Sequence, residues 1–211
     1  MQHGDLIWGT SQFQTASVAN MPDALDLLKT RRSIPAACLQ APGPDDDQLR
    51  DILTVAARVP DHGKLAPWRF VVVRGEDSVR AGEKLSELLT TSSPDEKGTR
   101  KAEEIRARYA TVPLTVLIVS RTMEHPKIPE WEQYISAGSV AMNLIHAAVA
   151  LGYGAQWLTG FVSDNAEASE LFGVRAPEQI VAAIHIGTPS APPTERDRPD
   201  IDALTTMFSA P

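Results

Sequence analysis

The run from Glu132 to Leu151 constrains the fold of this chain more than any other segment. Its apolar residues surround a helix rather than forming one stripe, and Ala137, Gly138, Ser139 and Ala141 leave part of its surface small enough for close packing. A helix that is apolar all round has no face to give to water, so it belongs at the centre of a fold or against a twin subunit. Gly152 is a natural stop, because glycine accepts the left-handed conformation in which many helices end.

The other elements are arranged around that helix. A first helix is expected to start at Pro22-Asp23, with Asp23 as N-cap and Ala24, Leu25, Leu27 and Leu28 as its apolar stripe. A second is expected over Asp46–Arg58, where Leu49, Ile52, Leu53, Ala56 and Ala57 recur at helical spacing. Between them, three prolines and Gly43 exclude a helix over 33–44. The runs Phe70–Val73, Leu114–Val119, Ala155–Leu158 and Ile180–Ile186 read as short buried strands. Helical periodicity occupies Asp77–Leu89, Arg100–Tyr109 and Ala166–Phe172, with a mobile polar break over Thr91–Gly98. Arg121–Glu130 reads as an exposed loop placed where a lid over a substrate pocket would sit, a plain surface connection being the equal alternative.

Two helices before the first strand, and no Gly-rich strand-to-helix turn after it, fit a doubly wound parallel sheet poorly. The expected architecture is α+β: one domain over 21–211, with a mixed sheet of four or five strands flanked by helices, and a flexible arm over 1–20. At 211 residues and 43% apolar content the chain can bury its own core or share one with a partner. A formal charge of -7 without a basic stripe argues against nucleic acid as the main partner. Cys38 is the only cysteine, which excludes an intrachain disulfide and reads as an inert thiol. The N-terminus does not have the pattern of a secretory signal, and no run approaches the roughly 18 apolar residues of a membrane span, so a cytoplasmic location is expected.

On so acidic a chain an anionic ligand needs a local cationic pocket, and Arg31-Arg32-Ser33 is the best candidate. Two guanidiniums and a hydroxyl make a phosphate grip. About thirty residues on, Asp61-His62-Gly63-Lys64-Leu65-Ala66-Pro67-Trp68 is a turn-rich loop running into a Trp-led strand, suited to the edge of a flat aromatic ligand. Together they suggest bound flavin mononucleotide, FMN. Each part has a plainer alternative: the arginines could complement a helix C-terminus, His62 could stabilise its turn, and Trp68 and Phe70 read more readily as core. Arg196 and Arg198 are either further phosphate contacts or solvated tail charges.

In order and spacing, Arg31-Arg32-Ser33, Pro60-Asp61-His62 and Pro67-Trp68 resemble the short branch of the FMN-dependent nitroreductase family, from about Pro22 through Gly187-Thr188-Pro189 and on to Arg198-Pro199-Asp200. The resemblance implies an obligate homodimer with a flavin site in each half of the interface. It places Arg31, Arg32, Ser33 and Arg198 at the phosphate and ribityl chain, and His62, Lys64 and Ala66 at the ring. Trp157, Leu158, Thr159 and Gly160 would lie against one ring face, with backbone N–H groups near Thr159 and Gly160 aimed at the N5–O4 edge.

The implied activity passes hydride from NADH or NADPH through FMN to a small electron-poor acceptor, a nitroaromatic or quinone, in a ping-pong scheme that needs no catalytic side chain. Two departures bear on tuning. Pro35 stands where many relatives carry a basic residue, and Ala66 where short-branch relatives often carry glutamine, so the cation expected beside the flavin N1–O2 edge falls to Lys64 or Arg32. Other flavin chemistry, such as dehalogenation or flavin breakdown, and a non-catalytic flavin-binding dimer are the rival readings. A hydrolase is disfavoured because Ala137-Gly138-Ser139-Val140-Ala141 lacks the Gly-x-Ser-x-Gly elbow. A metal site is disfavoured because His125, His146 and His185 lack ligand spacing, and His146 reads as a hydrogen-bonded core residue.

Overall fold

The computed structural model describes residues 24–210; the arm expected over 1–20 and the Asp23 cap lie outside them. Helix α1 (Ala24–Thr30) leads into a segment holding a 3-10 turn, Ala36–Cys38, and the two-residue strand β1 (Leu39–Gln40). Helix α2 (Asp46–Ala56) starts from a capping box: the Asp45 carboxylate accepts from the Gln48 N–H at 2.8 Å, and the Gln48 side chain accepts from the Asp45 N–H at 3.1 Å. Strand β2 (Trp68–Arg74) is followed by α3 (Gly75–Ser92) and α4 (Glu96–Thr111), then β3 (Leu114–Ser120). The break expected over 91–98 narrows to three residues, because the Asp95 carboxylate caps α4 by accepting from the Gly98 N–H at 2.6 Å.

Helix α5 (Glu130–Ala150) is the long apolar helix, and it ends in a Schellman motif. Gly152, at φ +87°, donates to Val149 O, and Tyr153 donates to Ala148 O. Strand β4 (Gly154–Leu158), the short helices α6 (Phe161–Asp164) and α7 (Ala166–Glu170), strand β5 (Gln179–Pro189) and helix α8 (Ile201–Leu204) complete the chain. Among the described residues no helix is long and apolar enough to cross a membrane.

The sheet has the order β2-β3-β5-β4, with β1 pairing the C-terminal end of β5. It was expected to be mixed, yet every pairing among the described residues is antiparallel. The α3–α4 hairpin returns the chain reversed from β2 to β3. Strands β3 and β4 run the same way, but β5 inserts between them in the opposite sense, so no parallel neighbours meet.

All seven residues of β3 are buried, because helices cover both faces of the sheet. Leu114, Val116 and Ile118 join the core formed with α2 and α5, while Leu117 and Val119 join the one formed with α3 and α4. This is the two-residue alternation of a strand. A bulge shifts the β3–β5 register between Ile118↔Ala182 and Val119↔Ile180, leaving Val181 as the extra residue.

One polar cluster is buried in this frame. His185 Nδ1 and Thr115 Oγ1 share a hydrogen bond of 2.8 Å, and Tyr109 meets the imidazole edge-on. Burial pushes the His185 pKa down to about 3, with Arg108 adding to the effect, so the ring is neutral at physiological pH.

Candidate functional site

The residues singled out in the sequence fall at two ends of the sheet. One end is marked by Arg74, Leu114 and Ile186, the other by Trp68, Ser120 and Gln179. Seven residues of strand separate them, roughly 23 Å.

At the first end the chain leaving α1 runs beside β4. The Ile34 N–H donates to Ala155 O at 3.0 Å, and the Ala36 N–H donates to the Gln156 side chain at 2.6 Å. These bonds set Arg31 and Arg32 on a cavity of about 230 Å³ walled by Ile34, Tyr153, Gly154 and Pro193, with the exposed Ser33 next in the chain. The C-terminal tail returns to the same place, where Arg198 donates to the Arg31 carbonyl at 3.4 Å. Arg32, its side chain only 14% exposed, donates to Glu195 Oε1 at 2.5 Å, and Arg198 Nη2 lies 3.3 Å from the same oxygen. The Arg196 N–H and the Arg32 guanidinium hold the Glu195 carboxyl below the usual range.

Arg31 has no ion pair among the described residues. Burial, followed by the neighbouring Arg198, Arg32 and Arg196 guanidiniums, lowers its pKa. Arg31 thus feels the charges of Arg198, Arg32 and Arg196, and Arg32 and Arg198 share the Glu195 carboxylate, a local concentration of positive charge on an acidic chain. Such an arrangement is costly unless an anion shares it. The tail arginines therefore lie beside Arg31 and Arg32, on a tail segment that is itself exposed.

His146 also lies at this end. It was expected to be a hydrogen-bonded core residue, but it is half-buried in the wall of a groove of about 460 Å³ between α1, α2 and α5. Burial and the Arg31 charge lower its pKa, and no hydrogen bond to its ring is found among the described residues. The helix turns past the core there, so apolar neighbours in sequence did not amount to burial in space.

At the second end the loop between α2 and β2 is held in an uncommon backbone shape. Gly63, Lys64 and Ala66 have φ of +73°, +56° and +45°. Left-handed φ at non-glycine residues is strained and persists only where surroundings impose it. Here the Asp61 carboxylate imposes it, accepting from the N–H groups of Leu65 at 3.1 Å and Ala66 at 2.9 Å. A Cβ at Gly63 would stand 2.5 Å from Ile128 Cδ1, so glycine is required on both counts.

His62 is exposed and pairs with Glu132 across 2.8 Å; Lys64 is exposed, with no ion pair among the described residues. Arg121, which the sequence did not single out, donates from Nε to Ala66 O at 3.3 Å and adds a cation beside this loop. Trp68 is buried in the α2–α5 core, and Phe70 and Trp157 pack against the same core, in line with the plainer reading of the first two.

The loop over 121–129 lies beside these residues. Buried Gln133 holds it by accepting from the Met123 N–H and donating to Met123 O and Ile128 O, and Arg121 N–H donates to Pro67 O. Trp157 and Leu158 end β4 level with Leu117, about midway along β3, and Thr159 leads to Gly160, which caps α6.

The sequence model of the nitroreductase family matches residues 28–188. "Putative NAD(P)H nitroreductase YdjA" of Escherichia coli is 36% identical over 187 residues, covering 88% of this chain and all of the relative. Among solved structures, the nitroreductase-like family protein of Bacillus cereus superimposes with a TM-score of 0.78 at 20% identity, over 92% of this chain and 100% of the other. The nitroreductase of Bacteroides fragilis, solved with bound FMN, superimposes with a TM-score of 0.67 at 18% identity, over 89% of this chain and 100% of the other. The arginine grip, the strained His62 loop and the β4 end therefore sit on a known scaffold, and the chain belongs to the nitroreductase family.

Proposed function

We propose that the protein is an FMN-dependent oxidoreductase that passes hydride from NADH or NADPH to a small electron-poor acceptor, a nitroaromatic or a quinone. It acts as a homodimer with one flavin in each half of the interface. The observation that carries the reading is the meeting of Arg31 and Arg32, which line a cavity of about 230 Å³, with the tail arginines Arg196 and Arg198. A phosphate dianion is the ligand that such an excess of guanidinium charge holds best. The relative with bound FMN and those named for NAD(P)H support the choice of cofactors.

Each named residue has a part. Arg31, Arg32 and Arg198 hold the phosphate, and Ser33 donates its hydroxyl to the phosphate or ribityl oxygens. From Ala155 to Gly160 the chain extends about 16 Å, a span that phosphate, ribityl chain and tricyclic ring can follow. Trp157, Leu158, Thr159 and Gly160 then flank the ring, with backbone N–H groups at its edge. Bound there, FMN supplies the redox chemistry, taking hydride from NAD(P)H and delivering electrons to the acceptor in a ping-pong sequence.

His62, Lys64 and Ala66 lie at the opposite end of the sheet from the arginines, three strands across from β4 and beyond the level at which it ends. We assign them to the flavin of the partner protomer. Lys64, Arg32 and Arg121 are the cations available to the N1–O2 edge. Exposed apolar surface supports the dimer: Leu28 and Val55 beside the α1–α2–α5 groove are 52% and 41% exposed, and Ile201, Leu204, Met207 and Phe208 of the tail are 69–88% exposed. A monomer in water rarely leaves such a surface open. NADH and NADPH as reductants accord with a cytoplasmic location.

Absorption spectroscopy of the purified protein tests the reading. An oxidised-flavin spectrum that NADH or NADPH bleaches under nitrogen, and that a quinone restores, is the expected result. A colourless monomer that takes up no added FMN would overturn it.

A further inference from the structure

The pairing of His62 with Glu132 joins residues 70 positions apart, and nothing in the local sequence requires it. With side chains 61% and 33% exposed, the pair contributes little to stability. Both partners are nevertheless fixed. His62 enters the strained turn that Asp61 clamps, and Glu132 sits in the first turn of α5. The two supports are tied together: Ser136 on α5 donates to Pro60 O at 2.9 Å, and Asn143 donates to Arg58 O at 2.9 Å. An exposed imidazole is thus held in one orientation, Nδ1 on the carboxylate and Nε2 open to solvent.

We propose that His62 is the proton donor to the acceptor and that Glu132 is its positioning residue; this rests on the oxidoreductase reading above. A carboxylate accepting from Nδ1–H fixes the neutral tautomer with a lone pair on Nε2, and leaves Nε2 as the atom that gains and gives the mobile proton. Reduction of a quinone needs two electrons and two hydrogens. Hydride brings both electrons and one hydrogen. The second hydrogen leaves Nε2 as a proton: the N–H bond breaks, an O–H bond forms on the quinone oxygen, and hydroquinone results. Neutral His62 then takes a proton from solvent, to which its exposure gives access. Asp61, Lys64 and Arg121 are the other charged groups around the loop, and Asp61 is committed to the backbone N–H groups of Leu65 and Ala66.

The test compares two acceptors on flavin-loaded protein. A quinone consumes a proton, whereas ferricyanide takes one electron and no proton. With both rates taken per bound flavin, His62→Gln should slow quinone reduction on the order of 100-fold or more beyond any loss it causes in ferricyanide reduction. Glu132→Gln should give a smaller loss of the same kind, partly restored in Glu132→Asp. Nitrogen-15 NMR of the chain without flavin supplies a separate readout. Neutral His62 should carry its proton on Nδ1 in the wild type and lose that preference in Glu132→Gln. Equal losses with both acceptors, an unaffected quinone rate, or a wild-type His62 with its proton on Nε2 would overturn the proposal. Because the tautomer is read without flavin, failure of this inference and failure of the FMN reading are separate results.

Discussion

At one end of the sheet, the proposed phosphate site is built from long charged side chains. Arg31, Arg32, Arg196 and Arg198 converge from two segments far apart in sequence, on backbone of ordinary conformation, with Glu195 pairing Arg32 and Arg198. At the other end the candidate ring site is built from backbone. The Asp61 carboxylate bends the chain through left-handed φ at Lys64 and Ala66, and His62 is carried on the result. A site of the first kind tolerates small displacements, because a Coulomb interaction falls off slowly with distance. A site of the second kind tolerates few, because its hydrogen bonds and its strain depend on atomic positions.

The largest expected effect lies in the arginine cluster. Arg31→Ala combined with Arg32→Ala removes charge-assisted contacts worth roughly 1.5–3 kcal/mol each, so FMN affinity should fall by at least 100-fold while riboflavin, which has no phosphate, binds as before. Fluorescence titration with both ligands checks this, and equal losses for the two would show the cluster to be structural. Next comes Asp61→Ala, which leaves the Leu65 and Ala66 N–H groups without their carboxylate. It should cost about 2 kcal/mol in chemical denaturation and should weaken riboflavin as much as FMN, the reverse of the arginine pattern.

A change common to both regions should come from the buried His185 beneath them. Its pKa is lowered from 6.5 to about 3 on folding, so the unfolded chain binds the extra proton in that interval. Its contribution is complete above pH 6.5 and is lost as pH falls toward 3. Stability should drop by about 2 kcal/mol between pH 7 and pH 5, and a His185→Gln variant should flatten that slope. The smallest effect is Ala66→Gly. Glycine accepts φ +45° without strain, so the folded loop should gain up to about 1 kcal/mol, offset by the greater freedom of the unfolded chain. Differential scanning calorimetry should show little net change, and a destabilisation well beyond the roughly 1 kcal/mol that glycine costs through the unfolded chain would mean that Ala66 is not strained.

The same contrast governs what could be read in advance. Arg31-Arg32-Ser33 is contiguous, and contiguous charge is visible in a sequence. The strands and long helices were legible because burial imposes periods of two and 3.6 residues on them. Helix α2 was placed within two residues at its C-terminus, and the capping box at Asp45 and Gln48 was there to be read. The fastening of the 121–130 loop was not legible, since Gln133 at the start of a largely apolar helix gives no sign that it will hold Met123 and Ile128. His146 was misplaced because an apolar neighbourhood along the chain does not say which side of a helix faces the core.

By itself the sequence determined the α+β class, the long apolar helix and the family, all of which depend on composition, periodicity or adjacent residues. Tertiary structure alone decided that the sheet is antiparallel throughout its described pairings, that Glu195, Arg196 and Arg198 return to Arg31 and Arg32, and that Glu132 faces His62. The physical reason is range. Local preferences act over a few residues, whereas these contacts join segments 70 to 167 residues apart, whose meeting depends on how the whole chain packs.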